Sequence, residues 1–248
     1  MGSIMRMGEL TTMAGRLYVG TSGFAYGEWK GPFYPDGLRN RDMLSFYASR
    51  FGSVEVNHTF RRYPSERTLA RWREATPDGF LITLKAHQRI THWRRLAEAD
   101  GAVSAFLDSA RPLGDRLGVI LFQCPPNLAY DRSLIESFVA FLPPTVRSAF
   151  EFRHPSWIEA KELLASQGAA WCVADTDKQP FTGERLEPGP FVYLRLRKEH
   201  YSEEELAGWA GRIEPVLVAG SDVFCYFKHE DKAAGPMFAE RLEELVNR

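Results

Sequence analysis

Eight short apolar runs, separated by longer segments, constrain the fold of this chain more than any other feature of its sequence. The runs are rich in Val, Ile, Leu and Phe, and most of the intervening segments have the spacing of amphipathic helices. Strands buried on both faces have this composition, and strands that alternate with helices form parallel sheets with right-handed crossovers. The predicted strands are residues 16–22, 53–57, 80–86, 118–124, 147–152, 169–175, 191–197 and 221–227.

The repeated strand–helix pattern predicts an α/β fold, a single-domain (β/α)8 TIM barrel. A doubly wound open sheet is the alternative, but it requires a G-x-G-x-x-G fingerprint after the first strand. The residues found there, GTSGFAYG, do not match that fingerprint. The barrel domain is therefore assigned to residues 16–248. Residues 1–15 lack the continuous apolar segment of a secretory signal, and we expect them to form a disordered leader.

The charge balance and the cysteines exclude several classes of protein. The chain has 31 basic and 32 acidic residues, so no overall field attracts nucleic acid or a membrane surface. The three cysteines are isolated from one another, without a C-x-x-C pair, and this excludes a disulfide framework or a zinc ribbon. We expect a cytoplasmic protein, and no apolar stretch has membrane-spanning length.

Polar and charged residues stand at the carboxyl ends of nearly all the predicted strands. Strand by strand they are Thr21 and Ser22; Glu55 and Asn57; Lys85; Gln123; Glu151, Arg153 and His154; Asp175; Arg195 and Arg197; and Lys228 and His229. The carboxyl ends of barrel strands meet at one mouth, which is where barrel enzymes place their active sites. The sequence therefore predicts one polar pocket. The alternative is that these charges only mark where each strand reaches the surface.

Several of the same segments resemble a known family. The segments YVGTSGFAYGEWKGPFYP, VEVNHTF, LITLKAHQRITHW, LGVILFQCPPNL, FEFRHPSW, YLRLR and YFKHED occur in the order seen in the YecE-like family, also called domain of unknown function 72. The resemblance runs from about residue 17 to the C-terminus and implies a TIM barrel, without implying a reaction. The family pattern Arg-x-His-Gly near the seventh strand is absent here, where Leu196, Arg197 and Lys198 follow Arg195. We therefore expect an irregularity around the seventh strand.

Three cations at the predicted mouth indicate an anion-binding pocket. Lys85, Arg153 and Arg195 come from strands three, five and seven, and alternate strands contribute to the same layer of a barrel. Cations gathered at one place repel each other unless an anion lies between them, and a forked arginine suits phosphate or carboxylate. The alternative is that they pair with nearby carboxylates. Ser22, Asn57 and Gln123 are predicted to complete the ligand-binding lining.

Candidate acid–base groups lie at the same strand ends. Glu55, Glu151 and His154 are predicted to act as acids or bases, and Asp175 to orient one of them. Histidine is a common acid or base near neutral pH, but His154 could equally order the turn that follows it. The resulting hypothesis is a hydrolase-like enzyme that acts on a small anionic substrate, phosphorylated or nucleotide-like.

A glycosidase-like carbohydrate enzyme is the second hypothesis. Glu55 and Glu151 could provide the two carboxylates that flank a glycosidic bond. Tyr26, Trp29 and Trp157 could stack on a sugar or a base, although aromatic residues near a barrel mouth often belong to the core.

Two further alternatives stay open. Glu55, Glu151, His154 and Asp175 offer oxygen and nitrogen ligands for a divalent metal, but H-x-H and HExxH spacings are absent, so no metal or cofactor is predicted. A non-catalytic binder of nucleic acid or protein would carry a basic strip outside the mouth. The near-neutral net charge favours an enzyme over such a binder, and the sequence does not fix the oligomeric state.

Overall fold

The computed structural model describes residues 15–228 and 233–247, and within them the predicted TIM barrel is confirmed. Eight parallel strands lie in the sheet order β1-β8-β7-β6-β5-β4-β3-β2. The strands are β1 Leu17–Thr21, β2 Ser53–Val56, β3 Leu81–Lys85, β4 Leu117–Gln123, β5 Arg147–Glu151, β6 Ala170–Asp175, β7 Val192–Leu196 and β8 Val223–Phe227. Each differs from its predicted bounds by no more than two residues. The predicted leader, except for Gly15, lies outside the described residues. His229 also lies outside them.

Seven α-helices surround the described barrel. They are α1 Met43–Ala48, α2 Glu66–Ala75, α3 Asp100–Ala110, α4 Arg132–Phe141, α5 Lys161–Ser166, α6 Glu203–Val218 and α7 Ala234–Val246. Helix α6 begins with a capping box, in which the Ser202 side chain accepts from the Glu205 backbone and the Glu205 side chain accepts from the Ser202 backbone. None of the helices in the described ranges combines the length and apolar character needed to cross a membrane.

The irregularity expected around the seventh strand lies in the connection before it. Strand β7 is itself regular and pairs in parallel with both β6 and β8. The connection from β6, residues 176–191, contains no helix. It is rich in proline and glycine, which do not sustain a helix. The crossover therefore covers the outer face of β6 with a loop.

The core has two parts, one on each side of the strands. The larger part lies between the strands and the helices and contains most of the buried Leu, Ile, Val and Phe residues. The smaller part fills the barrel interior and includes Tyr193, Phe224 and Tyr226, all of them fully buried. Above this interior layer, at the carboxyl ends of the strands, the buried side chains become polar and charged. The interior core thus forms the floor of a polar mouth.

Candidate functional site at the mouth of the barrel

The centre of the mouth is a buried arginine held by two glutamates. Arg195, on β7, is 2% exposed. One of its terminal nitrogens lies 2.8 Å from Oε1 of Glu55, on β2, and the other lies 2.5 Å from Oε2 of Glu151, on β5. Burial of an unpaired charge costs several kcal/mol, and the two ion pairs offset that cost, although Nε of Arg195 is buried with no hydrogen-bond partner in the described structure. The pairing expected as the alternative to anion binding is therefore realised for Arg195.

Both glutamates are held in the ionised form. Burial alone would raise the pKa of Glu55, but the Arg195 guanidinium and hydrogen bonds from Arg195 and Tyr193 outweigh burial and lower the pKa to about 2. The Tyr193 hydroxyl donates to Oε2 of Glu55 over 2.7 Å. The pKa of Glu151 is also lowered, because Arg195 and Arg153 outweigh the effect of burial. The mouth therefore holds two carboxylates at neutral pH.

The predicted polar lining is assembled around this centre. Ser22 donates to Oε1 of Glu55 over 2.7 Å, and the Asn57 amide donates to the same oxygen over 3.1 Å. Oε1 of Gln123 accepts from Nζ of Lys85 over 2.7 Å. Ser22, Asn57, Lys85 and Gln123 thus lie at one site with the central pair of glutamates.

Lys85 differs from Arg195 because it has no carboxylate partner among the described residues. Its Nζ lies 4.3 Å from the centroid of the Phe60 ring, a cation–π distance. Burial and the nearby Arg195 charge lower the pKa of Lys85 to about 8. The amine is therefore close to its titration point under ordinary conditions.

Two further arginines stand around the same centre. Arg153 is 47% exposed, and its Nε lies 3.2 Å from Oε1 of Glu151. Arg197 is half-buried, lies 3.4 Å from Oγ of Ser22, and forms no salt bridge within the described ranges. Burial and Arg195 lower the pKa of Arg197. The strand-end pattern included Arg197, but the predicted ligand set did not. Its two-residue spacing from Arg195 was the available signal, because both then face the mouth.

Among the described residues of the mouth, the charges are unbalanced as a result. Lys85, Arg153, Arg195 and Arg197 supply four cations around the two ionised glutamates. Lys85 and Arg197 account for the excess of two positive charges. An anion that enters this mouth would meet donors already oriented by their neighbours.

The structure places His154 and Asp175 outside this network. Nδ1 of His154 is 2.8 Å from Oγ of Ser156 and accepts from the Ser156 backbone, so His154 caps the short helix Pro155–Ala160. This is the turn-ordering role considered as the alternative. Asp175 accepts from the Phe181 backbone over 2.8 Å and lies 3.6 Å from Nζ of Lys198. Asp175 orders the loop after β6, and its described contacts do not include Glu55, Glu151 or His154.

Two of the three predicted stacking aromatics are part of the core. Trp29 and Trp157 are both fully buried. Trp157 donates from Nε1 to the Leu128 carbonyl over 2.6 Å, and its ring stacks on Phe152 with centroids 3.9 Å apart. Such burial leaves no ring face for a ligand. Tyr26 is half-buried and donates to the Ser22 carbonyl over 2.9 Å, so it remains at the rim of the mouth.

The positions of the carboxylates show whether the four residues considered as metal ligands could bind one ion together. In the described residues, no group of three or more His, Cys, Asp or Glu side chains is placed to hold a metal ion. The Arg195 guanidinium bridges Glu55 and Glu151, and the other two proposed ligands, His154 and Asp175, contact different parts of the fold. These four residues therefore do not form one ligand set.

Comparisons with known proteins identify relatives of this chain. A family model described as "Protein of unknown function DUF72" matches residues 18–248. UPF0759 protein YecE of Escherichia coli K12 is 32% identical over 120 residues, which cover 48% of this chain and 44% of YecE. The chain thus aligns with less than half the length of that relative. UPF0759 protein YunF of Bacillus subtilis is 26% identical over 278 aligned positions, which cover 93% of this chain and 95% of YunF.

Solved structures give the same result. A DUF72 family protein from Thermotoga maritima superimposes with a TM-score of 0.71 and 25% identity, covering 94% of this chain and all of that one. PbGH5A, a glycoside hydrolase family 5 enzyme from Prevotella bryantii, has a TM-score of 0.52 and 11% identity, covering 99% of this chain and all of that one. The likeness to PbGH5A shows the fold alone. The strand-end motifs, the barrel and the match over residues 18–248 together show that the chain belongs to the DUF72 family.

Proposed function

We propose that the protein is a hydrolase-like enzyme that binds a small anionic substrate, phosphorylated or nucleotide-like, at the mouth of the barrel. The observation that supports this proposal is the excess of two positive charges among the described residues around the buried Arg195 centre. Lys85 and Arg197 are half-buried cations without a carboxylate partner in the described part of the chain, and both have a lowered pKa. A bound anion would offset the cost of holding these charges.

The residues of the mouth divide into two groups in this proposal. Arg195 holds Glu55 and Glu151 in place and is itself neutralised by them. Lys85, Arg153 and Arg197 are then the groups that contact the anion. Fixed donors that need no rearrangement stabilise developing charge well.

We assign proton transfer in this proposal to Lys85. An amine with a pKa of about 8 is present in both forms near neutral pH and can donate or accept a proton. Glu151 is a weaker base than Lys85, because its pKa is lowered and its two oxygens are bound to Arg153 and Arg195. The three cysteines are buried and free of disulfides, and the proposal places the enzyme in the cytoplasm.

The ionised glutamates disfavour the glycosidase hypothesis. Glycoside hydrolysis needs one carboxyl group with a raised pKa to protonate the leaving group. Here the pKa of both Glu55 and Glu151 is lowered by the same arginine. Neither carboxyl is prepared to act as that acid, so the anionic substrate is the better match to the geometry.

Titration of the protein with phosphate and with AMP tests this proposal. We expect saturable binding by calorimetry, and Arg153→Ala should weaken it by at least about tenfold, the loss expected for a charge-assisted hydrogen bond. The fold should survive because Arg153 is half exposed. Arg111→Ala is the matched control, since Arg111 is 81% exposed and pairs with Asp108 far from the mouth. Unchanged affinity in Arg153→Ala, Lys85→Ala and Arg197→Ala would contradict the proposal. Phosphorus NMR of incubated phosphate esters then tests for hydrolysis.

A further inference from the structure

Two loops beside the mouth concentrate basic residues. Residues 57–65, which follow β2, read NHTFRRYPS, and residues 86–97, which follow β3, read AHQRITHWRRLA. Together they contain five arginines and three histidines and no acidic residue, in a chain whose net charge is −1. The overall charge balance therefore hides a strongly positive local surface.

The two loops pack against each other through aromatic rings. The rings of Tyr63 and His87 lie 4.7 Å apart, and those of Phe60 and His92 lie 4.9 Å apart, each pair edge to face. Phe60 also contacts Lys85, so the packed loops continue directly into the mouth. The loops thus form one surface that begins at the proposed substrate site.

The outer part of this surface is exposed and unpaired. Trp93 is 67% exposed, which is unusual for a residue of this size. Arg61, Arg62 and Arg89 are exposed and make no ion pair within residues 15–228 and 233–247. A hollow of about 330 Å³ is lined in part by Tyr63 and Arg89, and also by Arg94 and Glu98. We define the basic–aromatic surface as Arg61, Arg62, Tyr63, Arg89 and Trp93.

We propose that the basic–aromatic surface binds single-stranded nucleic acid. An exposed indole offers a face on which an unpaired base can stack, and unpaired arginines track phosphates without reading sequence. A duplex keeps its bases stacked inside and cannot use Trp93 in this way. The proposal rests on the proposed function in one respect: a strand on this surface would lead a nucleotide past Phe60 into the mouth.

Fluorescence anisotropy with labelled oligo-dT and oligo-U of about 12 nucleotides tests this inference. The double variant Arg61→Ala/Arg62→Ala should bind at least about tenfold more weakly, and the slope of log affinity against log salt should fall by about 1.4, as expected for two lost phosphate contacts on a single strand. Arg71→Ala/Arg111→Ala is the matched control, because it removes the same charge from exposed helical positions. The control should keep the parent affinity and slope.

Variants of Trp93 distinguish the contribution of base stacking to binding from the contribution of charge. Trp93→Ala should weaken oligonucleotide binding by about tenfold, whereas Trp93→Phe should retain most of it because the ring face remains. Binding of either oligonucleotide through this surface supports the inference, and the tighter one shows which of the two strands the surface prefers. Equal affinity for a duplex, or parent affinity in the Arg61→Ala/Arg62→Ala variant, would overturn it.

AMP binding distinguishes this inference from the proposed function. If AMP binds at the mouth but oligonucleotides do not depend on the basic–aromatic surface, the inference fails and the proposed function stands. If oligonucleotides depend on this surface while AMP and phosphate do not bind, the proposed function fails and the surface assignment stands.

Discussion

At the scale of single residues, the chemistry of the mouth depends on Lys85 and Arg197. These are the two cations of the site that have no carboxylate partner among the described residues. Arg195 is almost fully buried, and its charge is neutralised by Glu55 and Glu151. Lys85 is less buried, and the one hydrogen bond of its amine within residues 15–228 and 233–247 is donated to the neutral Gln123 amide. A neutral acceptor leaves most of the ammonium charge available. We therefore expect the protonation of Lys85 to change when an anion binds.

The pH dependence of sulfate binding should expose this role. The pKa of Lys85 is lowered to about 8, so the amine is charged below that pH and neutral above it. We expect sulfate affinity to fall by about tenfold between about pH 7 and pH 9.5, the value of one charge-assisted hydrogen bond. Sulfate is suitable because it does not titrate in this range. Isothermal calorimetry at several pH values measures the effect.

The control for this experiment is Lys85→Arg, which keeps a positive charge throughout the range. The pH dependence should largely disappear in that variant. A decline of the same size in Lys85→Arg would assign the effect to another group and remove Lys85 from the anion site.

At the scale of elements, Arg195 acts as a tie between strands that are not neighbours. It projects from β7 and bonds to β2 and β5 across the barrel interior. Replacing it by methionine removes the cation that Glu55 and Glu151 share, and breaking a buried pair in this way costs about 3–5 kcal/mol. We expect Arg195→Met to lose about that much unfolding free energy in urea at neutral pH.

Arg153→Met is the matched comparison, since Arg153 contacts the same Glu151 but is half exposed. Its loss of unfolding free energy should stay below about 1 kcal/mol.

The two variants should also differ in how their unfolding free energy changes at acid pH. The lowered pKa values of Glu55 and Glu151 stabilise the parent above the unfolded value of about 4.5, and this contribution is lost as the pH falls towards 2. Without Arg195 the carboxylates can protonate, so the deficit should shrink below about pH 5. Equal losses of unfolding free energy in the two variants at neutral pH would show that Arg195 does not link these strands.

The same elements show what the sequence could predict. The strands could be placed to within two residues because apolar runs and helix-start signals are local. The strand ends could be assigned to one mouth because closure of a barrel leaves them no other place. Partners across the barrel could not be assigned, because alternation fixes the face of a side chain and not what lies opposite. Trp29 and Trp157 illustrate the limit: both lie in short loop helices, where tertiary packing alone decides which way a ring points.

At the scale of the whole molecule, the mouth depends on how the barrel closes between β1 and β2. The other adjacent strands are joined by ladders of two to five residue pairs, whereas β1 and β2 meet at the single described bridge between Ser22 and Glu55. Tyr47 reinforces this seam, because its hydroxyl accepts from the Thr21 backbone over 2.7 Å and donates to the Ser53 carbonyl over 3.2 Å. The seam therefore supplies one side of the Glu55 site.

Gly20 makes so close an approach of β1 and β2 sterically feasible. A methyl group at this position would lie 2.1 Å from the Ser53 carbonyl oxygen and 2.7 Å from the Tyr47 hydroxyl. Gly20→Ala should therefore push the strands apart and lower the unfolding free energy by about 1–3 kcal/mol, as overpacking does. Sulfate affinity should fall with it, because Glu55 loses its alignment with Ser22.

Gly52→Ala is the control at the other side of the seam, where an added methyl meets nothing within 4 Å. This change should be neutral or stabilising by up to about 1 kcal/mol, since alanine restricts the unfolded chain. Urea unfolding and sulfate calorimetry on both variants separate strand closure from backbone entropy. If Gly20→Ala lost stability but bound sulfate with parent affinity, the mouth would not depend on the seam, and the anion site would have to be confined to β3, β5 and β7.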